Sequence, residues 1–224
     1  MQTHHKVYLA YTGIFLIITL GIVAIPLLSF SMDMGPWYEA ISAAHICHQK
    51  LSRSLCIFDS PGGYVIWDCI PQSGNFVNDA PGVFKVVENG VVGYEMPVCA
   101  RDFALYGAMA FGALAYPFVR DLKERSLLHY SFLILAIIPL GLDGTIQLVS
   151  ETGLLPFIYE SSNAMRLLTG ALAGFASSFY AIPLLMNLFA QPEWKKPEHE
   201  TPKQEGQNPE SERKRSKRKP EIEN

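Results

Sequence analysis

The chain has 224 residues, of which 49% are hydrophobic and 17% are charged, whereas soluble domains carry roughly 25% charged residues. Its 18 Lys and Arg residues against 21 Asp and Glu residues give a net charge of −3, so there is no overall basic field that would attract nucleic acid. Nine of the 18 basic residues lie in the last 34 positions. The rest of the chain is sparsely charged, which argues against a soluble globular domain.

Long stretches without charge predict four transmembrane helices. A helix needs about 20 apolar residues to cross the hydrocarbon core. The first and last stretches are long enough by themselves, and the middle two reach this length when Asp102 and Asp143 are admitted near one end. We therefore predict spans at residues 7–28, 102–119, 127–149 and 165–189. A signal peptide is the alternative for the first span, but no small-x-small cleavage site follows its long apolar run.

Basic residues predict the orientation of the spans. Thirteen Lys and Arg residues lie on one side of the membrane, three of them in the short turn at 120–125, and five lie on the other side. The positive-inside rule then predicts a multi-pass protein of the cell membrane with both termini in the cytoplasm. The membrane domain would comprise residues 1–190, including an outward loop at 30–101. The remaining tail, 191–224, is rich in Pro, Glu, Lys and Gln and is predicted to be disordered and cytoplasmic.

The outward loop contains signals for both a helix and strands. Pro36 suits the first turn of a helix, and side chains recurring at steps of three and four predict an amphipathic helix over 36–55. Farther on, residues 64–70 are strand-like, and two apolar runs flank Asn89-Gly90, a strong hairpin signal. The predicted fold class is therefore an all-α membrane protein with four transmembrane helices, an outward amphipathic helix and a small β-hairpin ornament.

All four cysteines lie in the outward loop, as expected for an oxidising compartment. Four cysteines allow three pairings, and the sequence does not choose among them. The plain interpretation is a disulfide between Cys56 and Cys69, which bracket the start of the ornament. Closing the loop between them would stabilise the folded segment by roughly 3 kcal/mol. Cys47 and Cys99 would then be either unpaired or paired with each other.

Two carboxylates are expected at one depth of the bilayer. Asp102 lies 18 residues before Arg120, and Asp143 lies 18 residues after Arg125. At 1.5 Å per residue, each is about 27 Å from the inner boundary of a core about 30 Å thick. Other polar residues reach the same level, namely Cys47, His48, Arg53, Cys99, Gln147, Asn163 and Arg166. We expect one pocket in the outer leaflet; the alternative for each residue alone is a helix end wetted by interfacial water or a snorkelling side chain.

Several strings around this pocket together resemble one protein family. They are Cys47-His48-Gln49, the run from Met96 to Asp102, and Asp143-Gly144-Thr145 with Gln147, followed by Asn163 and Arg166. From about residue 45 to residue 174 the chain resembles an uncharacterised prokaryotic family of membrane proteins, domain of unknown function 2085. The resemblance implies a multi-spanning membrane protein and no particular activity.

Two departures from the family pattern bear on the site. The family usually has Cys-Ala-Arg-Cys where this chain has Cys99-Ala-Arg-Asp102, and it has a shorter connection where this chain carries residues 56–95. The resemblance implies that Cys56 and Cys69 are local additions, whereas Cys47, His48 and Cys99 belong to the shared pattern. Losing the second sulfur disfavours redox chemistry, but aspartate can replace a thiolate as a zinc ligand. The candidate metal ligands are therefore Cys47, His48, Cys99, Asp102 and Asp143.

Three classes of function are consistent with these features. The first is a metal-dependent enzyme acting on a lipid or lipid-linked substrate, in which zinc would activate water. Asp143 would be a ligand or general base there, and Arg101 and Arg166 would bind an anionic headgroup. The second is a structural or accessory membrane protein stabilised by outward disulfides. The third and weakest is a transporter, because transport sites lie near the midplane on broken helices.

Overall fold

Five helices and four strands make up the computed structural model, which describes residues 3–43, 50–69, 84–88 and 90–189. The helices are α1 (Thr3–Leu28), α2 (Gly35–Ala43), α3 (Ala100–Val119), α4 (Tyr130–Glu151) and α5 (Asn163–Phe189). All but α2 are long and apolar enough to cross a membrane, and they correspond to the four predicted spans. The tail at 191–224 lies outside the described residues, so its predicted disorder stays a prediction.

A four-stranded antiparallel sheet packs on one end of the helices, called here the sheet end. Its strands are β1 (Ser54–Ser60), β2 (Gly63–Asp68), β3 (Lys85–Glu88) and β4 (Val91–Cys99), in the order β2-β1-β4-β3. The predicted hairpin is present as β3 and β4, with Glu88 paired to Val91. Gly90 has φ +80°, a left-handed conformation that glycine adopts without steric cost.

The prediction of an amphipathic helix over 36–55 extends the helix too far along the chain. Helix α2 is described over Gly35–Ala43, residues 44–49 lie outside the described residues, residues 51–53 form a 3₁₀ turn, and Leu55 belongs to β1. Leu55 and Ile57 are buried in a cluster with apolar residues of α1 and β4. Pairing with the neighbouring strands therefore overrides the helical spacing of this stretch. The ornament has four strands, whereas the sequence predicts a strand over 64–70 and a hairpin.

The disulfide predicted between Cys56 and Cys69 is confirmed. It joins β1 to the residue after β2, with the two Cα atoms 4.9 Å apart. Both cysteines are buried with Leu51 and Phe58 in a cluster on the face of the sheet that points away from the helices. The disulfide therefore keeps the residues of this small cluster packed together.

Replacing Cys56 and Cys69 together by Ser should lower the free energy of unfolding by about 3 kcal/mol, because the unfolded chain regains the entropy of the opened loop. Chemical unfolding of the purified protein with and without reductant measures the effect. Reductant should destabilise the wild type and leave the double variant unchanged. An equal loss in both proteins would mean that another bond carries the redox sensitivity.

Helix α5 lies against α3 along a stripe of small residues. A Cβ atom added to Gly170 would lie 2.4 Å from the Arg101 carbonyl oxygen, and one added to Gly174 would lie 2.2 Å from the Leu105 carbonyl oxygen. One turn farther along, the Ser178 hydroxyl donates to a backbone carbonyl of α3 at 2.9 Å. Small residues at four-residue spacing allow this close backbone approach in membranes. The contact fixes the first turn of α3 against α5.

Candidate functional site

Asp143 is a buried carboxylate near the sheet end of α4. It forms an ion pair with Arg101 of α3 and is 4% exposed. It also accepts hydrogen bonds from the Tyr159 hydroxyl at 2.8 Å and the Ser161 hydroxyl at 2.9 Å. The bond to this carboxylate raises the pKa of Tyr159, since it favours the protonated phenol. Asp143 therefore joins α3 to α4 and to the loop that precedes α5.

Arg166 is a second buried charge, 2% exposed, in the first turn of α5. Its Nη2 atom donates to Glu160 Oε1 at 2.5 Å and to Gln147 Oε1 at 3.2 Å. Its Nη1 atom donates to Asn163 Oδ1 at 3.4 Å. A buried guanidinium is tolerated when carboxylate and amide oxygens satisfy its donors in this way.

Glu160 bridges Arg166 to Arg53, which lies in the turn before β1. Arg53 donates from Nε to Glu160 Oε1 at 2.8 Å and from Nη2 to Oε2 at 2.9 Å, and it also pairs with Glu151. Burial raises the pKa of Glu160, but hydrogen bonds from the two arginines outweigh it and hold that pKa below its usual range. Burial lowers the pKa of Arg53, and its two glutamate partners more than compensate, so that this pKa is raised.

Asn163 docks the sheet onto this ionic network. The side chain is 1% exposed, and its Nδ2 atom donates to the Ser54 carbonyl at 3.3 Å and to Asp68 Oδ1 at 3.0 Å. Ser54 begins β1 and Asp68 ends β2. Its Oδ1 atom accepts from Arg166, so one residue connects the buried arginine to two strands.

An open cavity of about 330 Å³ lies beside the network. Its wall contains the guanidinium-bearing residues Arg53, Arg101 and Arg166, together with Cys99 and Asp102 at the start of α3. The Cys99 thiol donates to Asp102 Oδ2 at 3.3 Å. Gln147 and Glu151 of α4 complete the polar part of the wall. Positive and negative groups therefore both line one solvent-accessible space at the sheet end.

Most of the polar residues predicted to share one depth surround this cavity. They are Arg53, Cys99, Asp102, Gln147 and Arg166, and Arg101, predicted to bind a headgroup, lines the cavity with them. Asn163 is not part of the wall and instead contacts the sheet. Asp143 lies behind Arg101, outside the cavity wall, with its carboxylate occupied by the donors described above. Cys47 and His48 lie outside the described residues, so their relation to the cavity stays a prediction.

Sequence reasoning missed the acids that balance the arginines. Glu151 ends α4, and Glu160 lies in the following loop, where no periodic pattern marks it. A usable signal existed, because an arginine buried at a helix end requires a carboxylate partner. Glu151 and Glu160 bracket the apolar loop immediately before Arg166.

The described residues supply only part of the predicted zinc site. Within 3–43, 50–69, 84–88 and 90–189, no three His, Cys, Asp or Glu side chains are grouped so as to hold a metal ion. Cys99 and Asp102 adjoin each other, but the oxygens of Asp143 already accept from a cation and two hydroxyls. That donor set is typical of a charge-pairing carboxylate rather than a metal ligand, so no chemical step through zinc follows from it.

Comparison with known proteins relates this region to a family. Residues 90–180 match the model described as "Predicted membrane protein (DUF2085)". The chain is 29% identical over 189 residues to the uncharacterized protein MJ1492 of Methanocaldococcus jannaschii. The aligned region covers 82% of this chain and 95% of that protein. No solved structure matches the chain. The resemblance found from the motifs is thereby confirmed for residues 90–180, which match this family model.

Proposed function

We propose that this membrane protein binds the phosphate-bearing headgroup of a lipid or lipid-linked molecule in the cavity at the sheet end. The supporting observation is that Arg53, Arg101 and Arg166, from three different elements, line one open space. Guanidinium groups match phosphate oxygens in a bidentate geometry and are weakly hydrated, which makes arginine the usual residue for such recognition. The class of function is therefore binding of an anionic amphiphile.

The position of the cavity along the helices suits this ligand. It lies at the first turn of α3 and the last turns of α4, where a spanning helix emerges among lipid headgroups. We propose that this side faces outward, since it carries the disulfide, which persists in oxidising compartments. The short turn at 120–125, with three basic residues, would then lie in the cytoplasm with both termini.

Arg101 is the arginine best suited to the first contact with phosphate. Its pair with Asp143 uses Nη2, and its Nε atom is buried without a hydrogen-bond partner among the described residues. A buried, unsatisfied donor costs about 1–3 kcal/mol. The Arg101 side chain also lines the cavity, so its guanidinium can donate to a phosphate oxygen there while the pair with Asp143 stays intact.

A structural or accessory role is the second candidate. It is favoured by the carboxylate partner that each of the three arginines has in the ionic network. In that case the network would only fasten the sheet to the helices. The two candidates differ in whether a phosphate-bearing molecule stabilises the folded protein.

Arg101→Lys separates the two roles, because lysine keeps a cation for Asp143 but lacks the planar fork that binds phosphate. Phosphatidic acid should stabilise the purified full chain in thermal unfolding. Arg101→Lys should bind this lipid about tenfold more weakly, because a tenfold change in affinity corresponds to the loss of about one charge-assisted hydrogen bond. Inorganic phosphate forms a second arm, which distinguishes a free anion from a lipid headgroup.

Lys123→Gln is the matched control, since Lys123 is an exposed cation in the turn at the opposite end. Its response to phosphatidic acid should equal that of the wild type. Equal stabilisation of Arg101→Lys and wild type would place the lipid elsewhere. No stabilisation of the wild type by either phosphate source would support the structural role.

A further inference from the structure

Strand β2 is an edge strand with exposed apolar side chains on both faces. It has β1 as its only neighbour in the described sheet. Tyr64, Val65, Ile66 and Trp67 are 58%, 46%, 46% and 66% exposed. No charged residue occurs from position 60 to position 67. In water, an uncharged apolar edge of this kind is a site for unwanted strand pairing, so we expect it to be covered.

The register of the sheet shows which face of β2 points toward the helices. Ile66 pairs with Ile57, and directly opposed residues share a face. Ile57 packs in a buried cluster with Ile22 of α1. Tyr64 is two residues from Ile66 and lies on the same face, and its ring is 5.1 Å from that of Phe30, just beyond the end of α1. This face therefore meets the sheet end of α1.

The other end of β2 reaches the start of α5. Asp68 accepts the hydrogen bond from Asn163 described above. The loop that leads into Asn163 is also apolar at its surface, with Phe157 and Ile158 55% and 87% exposed. No charged residue occurs from 152 to 159. Thus β2 runs between the ends of two spanning helices, and a second uncharged apolar segment lies at the same level.

We infer that β2 and the loop before α5 rest on the lipid bilayer, with Tyr64 and Ile66 inserted where headgroups meet acyl chains. Both segments adjoin ends of spanning helices, and those helices also expose large apolar side chains. Tyrosine is enriched at this boundary because its ring is apolar and its hydroxyl is polar. Val65 and Trp67, on the opposite face, point away from the bilayer. This inference is independent of ligand binding in the cavity.

Tryptophan fluorescence in liposomes tests the alternation along β2. Three full-length variants each keep one tryptophan, and all carry Trp37→Phe and Trp194→Phe. The first keeps the native Trp67. The other two add Trp67→Phe and place the tryptophan at position 66 (Ile66→Trp) or at position 65 (Val65→Trp). Phosphatidylcholine brominated near the carboxyl end of its acyl chains is the membrane quencher, and acrylamide is the aqueous one. At position 66 we expect stronger quenching by the brominated lipid, weaker quenching by acrylamide and blue-shifted emission relative to positions 65 and 67.

Leu20→Trp in a chain that carries Trp37→Phe, Trp67→Phe and Trp194→Phe is the lipid-facing control, because Leu20 is 65% exposed on α1. Strong acrylamide quenching and no lipid quenching at position 66 would overturn the inference, since the strand would then project into water. Protection from both quenchers at position 66 would also overturn it, because protein would cover the strand. Arg101→Lys should leave the pattern unchanged, whatever it does to phosphate binding.

Discussion

Glu160→Gln should lower the free energy of unfolding by about 3–5 kcal/mol, the cost of leaving a buried ion without its partner. Arg166 is 2% exposed, and among its described partners Glu160 is the one that carries negative charge. Arg53 would lose its bidentate contact and keep only its pair with Glu151. Unfolding of the purified protein in detergent, followed by circular dichroism, measures the loss.

Glu124→Gln provides the matched control at the opposite end of the helices. Glu124 pairs with Arg120 but is 49% exposed, and exposed pairs contribute about 0–1 kcal/mol. A loss at Glu160 no larger than the loss at Glu124 would mean that the ionic network does not support the fold.

The same glutamate predicts a dependence on pH. The pKa of Glu160 is below its usual range in the folded protein, so its ionised form contributes stability above the pKa of an unfolded glutamate. That contribution is lost as the pH falls through the lowered pKa of the folded state. The stability difference between the wild type and Glu160→Gln should therefore narrow in acid. A difference that stays constant through this range would contradict the role of the ionised carboxylate.

Gly170→Ala combined with Gly174→Ala should cost about 4 kcal/mol, since each overpacked site typically costs 1–3 kcal/mol and sometimes more. The new Cβ atoms would lie 2.4 and 2.2 Å from backbone carbonyl oxygens of α3, which cannot move aside as a flexible side chain can. The helices must therefore separate, and Arg101, whose carbonyl is one of those oxygens, must move with α3. Equilibrium unfolding in detergent measures the loss.

Gly141→Ala on α4 is the control for helix propensity, because its Cβ would meet no described atom within 4 Å. Alanine favours a helix over glycine by about 1 kcal/mol, so this variant should be neutral or more stable. If the double variant behaves like Gly141→Ala, then α3 and α5 do not approach as closely as described.

The spans were predictable because the hydrocarbon core excludes charge, so composition alone identifies them. The rise per residue and the inner anchors also predict one depth for Asp102 and Asp143. In the structure Asp102 lines the cavity, together with Cys99 and Arg166, whereas Asp143 does not. Both predictions use one physical dimension, the thickness of the bilayer.

Other features depend on contacts between distant segments and were therefore missed. Leu55 fits helical spacing and strand alternation equally well, and its pairing with β2 and packing on α1 decide the outcome. Glu160 lies in a loop without periodicity, and its importance comes from Arg53, 107 residues earlier. The role of Asp143 likewise depends on which donors fold against it.

Native mass spectrometry of the purified full chain is the most direct measurement of phosphate recognition at the sheet end. The chain would be presented with phosphatidic acid and with diacylglycerol of the same acyl composition, which differ only in the phosphate. We expect selective retention of phosphatidic acid by the wild type and by Lys123→Gln, and about tenfold weaker retention by Arg101→Lys. Equal retention of both lipids by the wild type, or undiminished selectivity in Arg101→Lys, would contradict a phosphate-binding cavity.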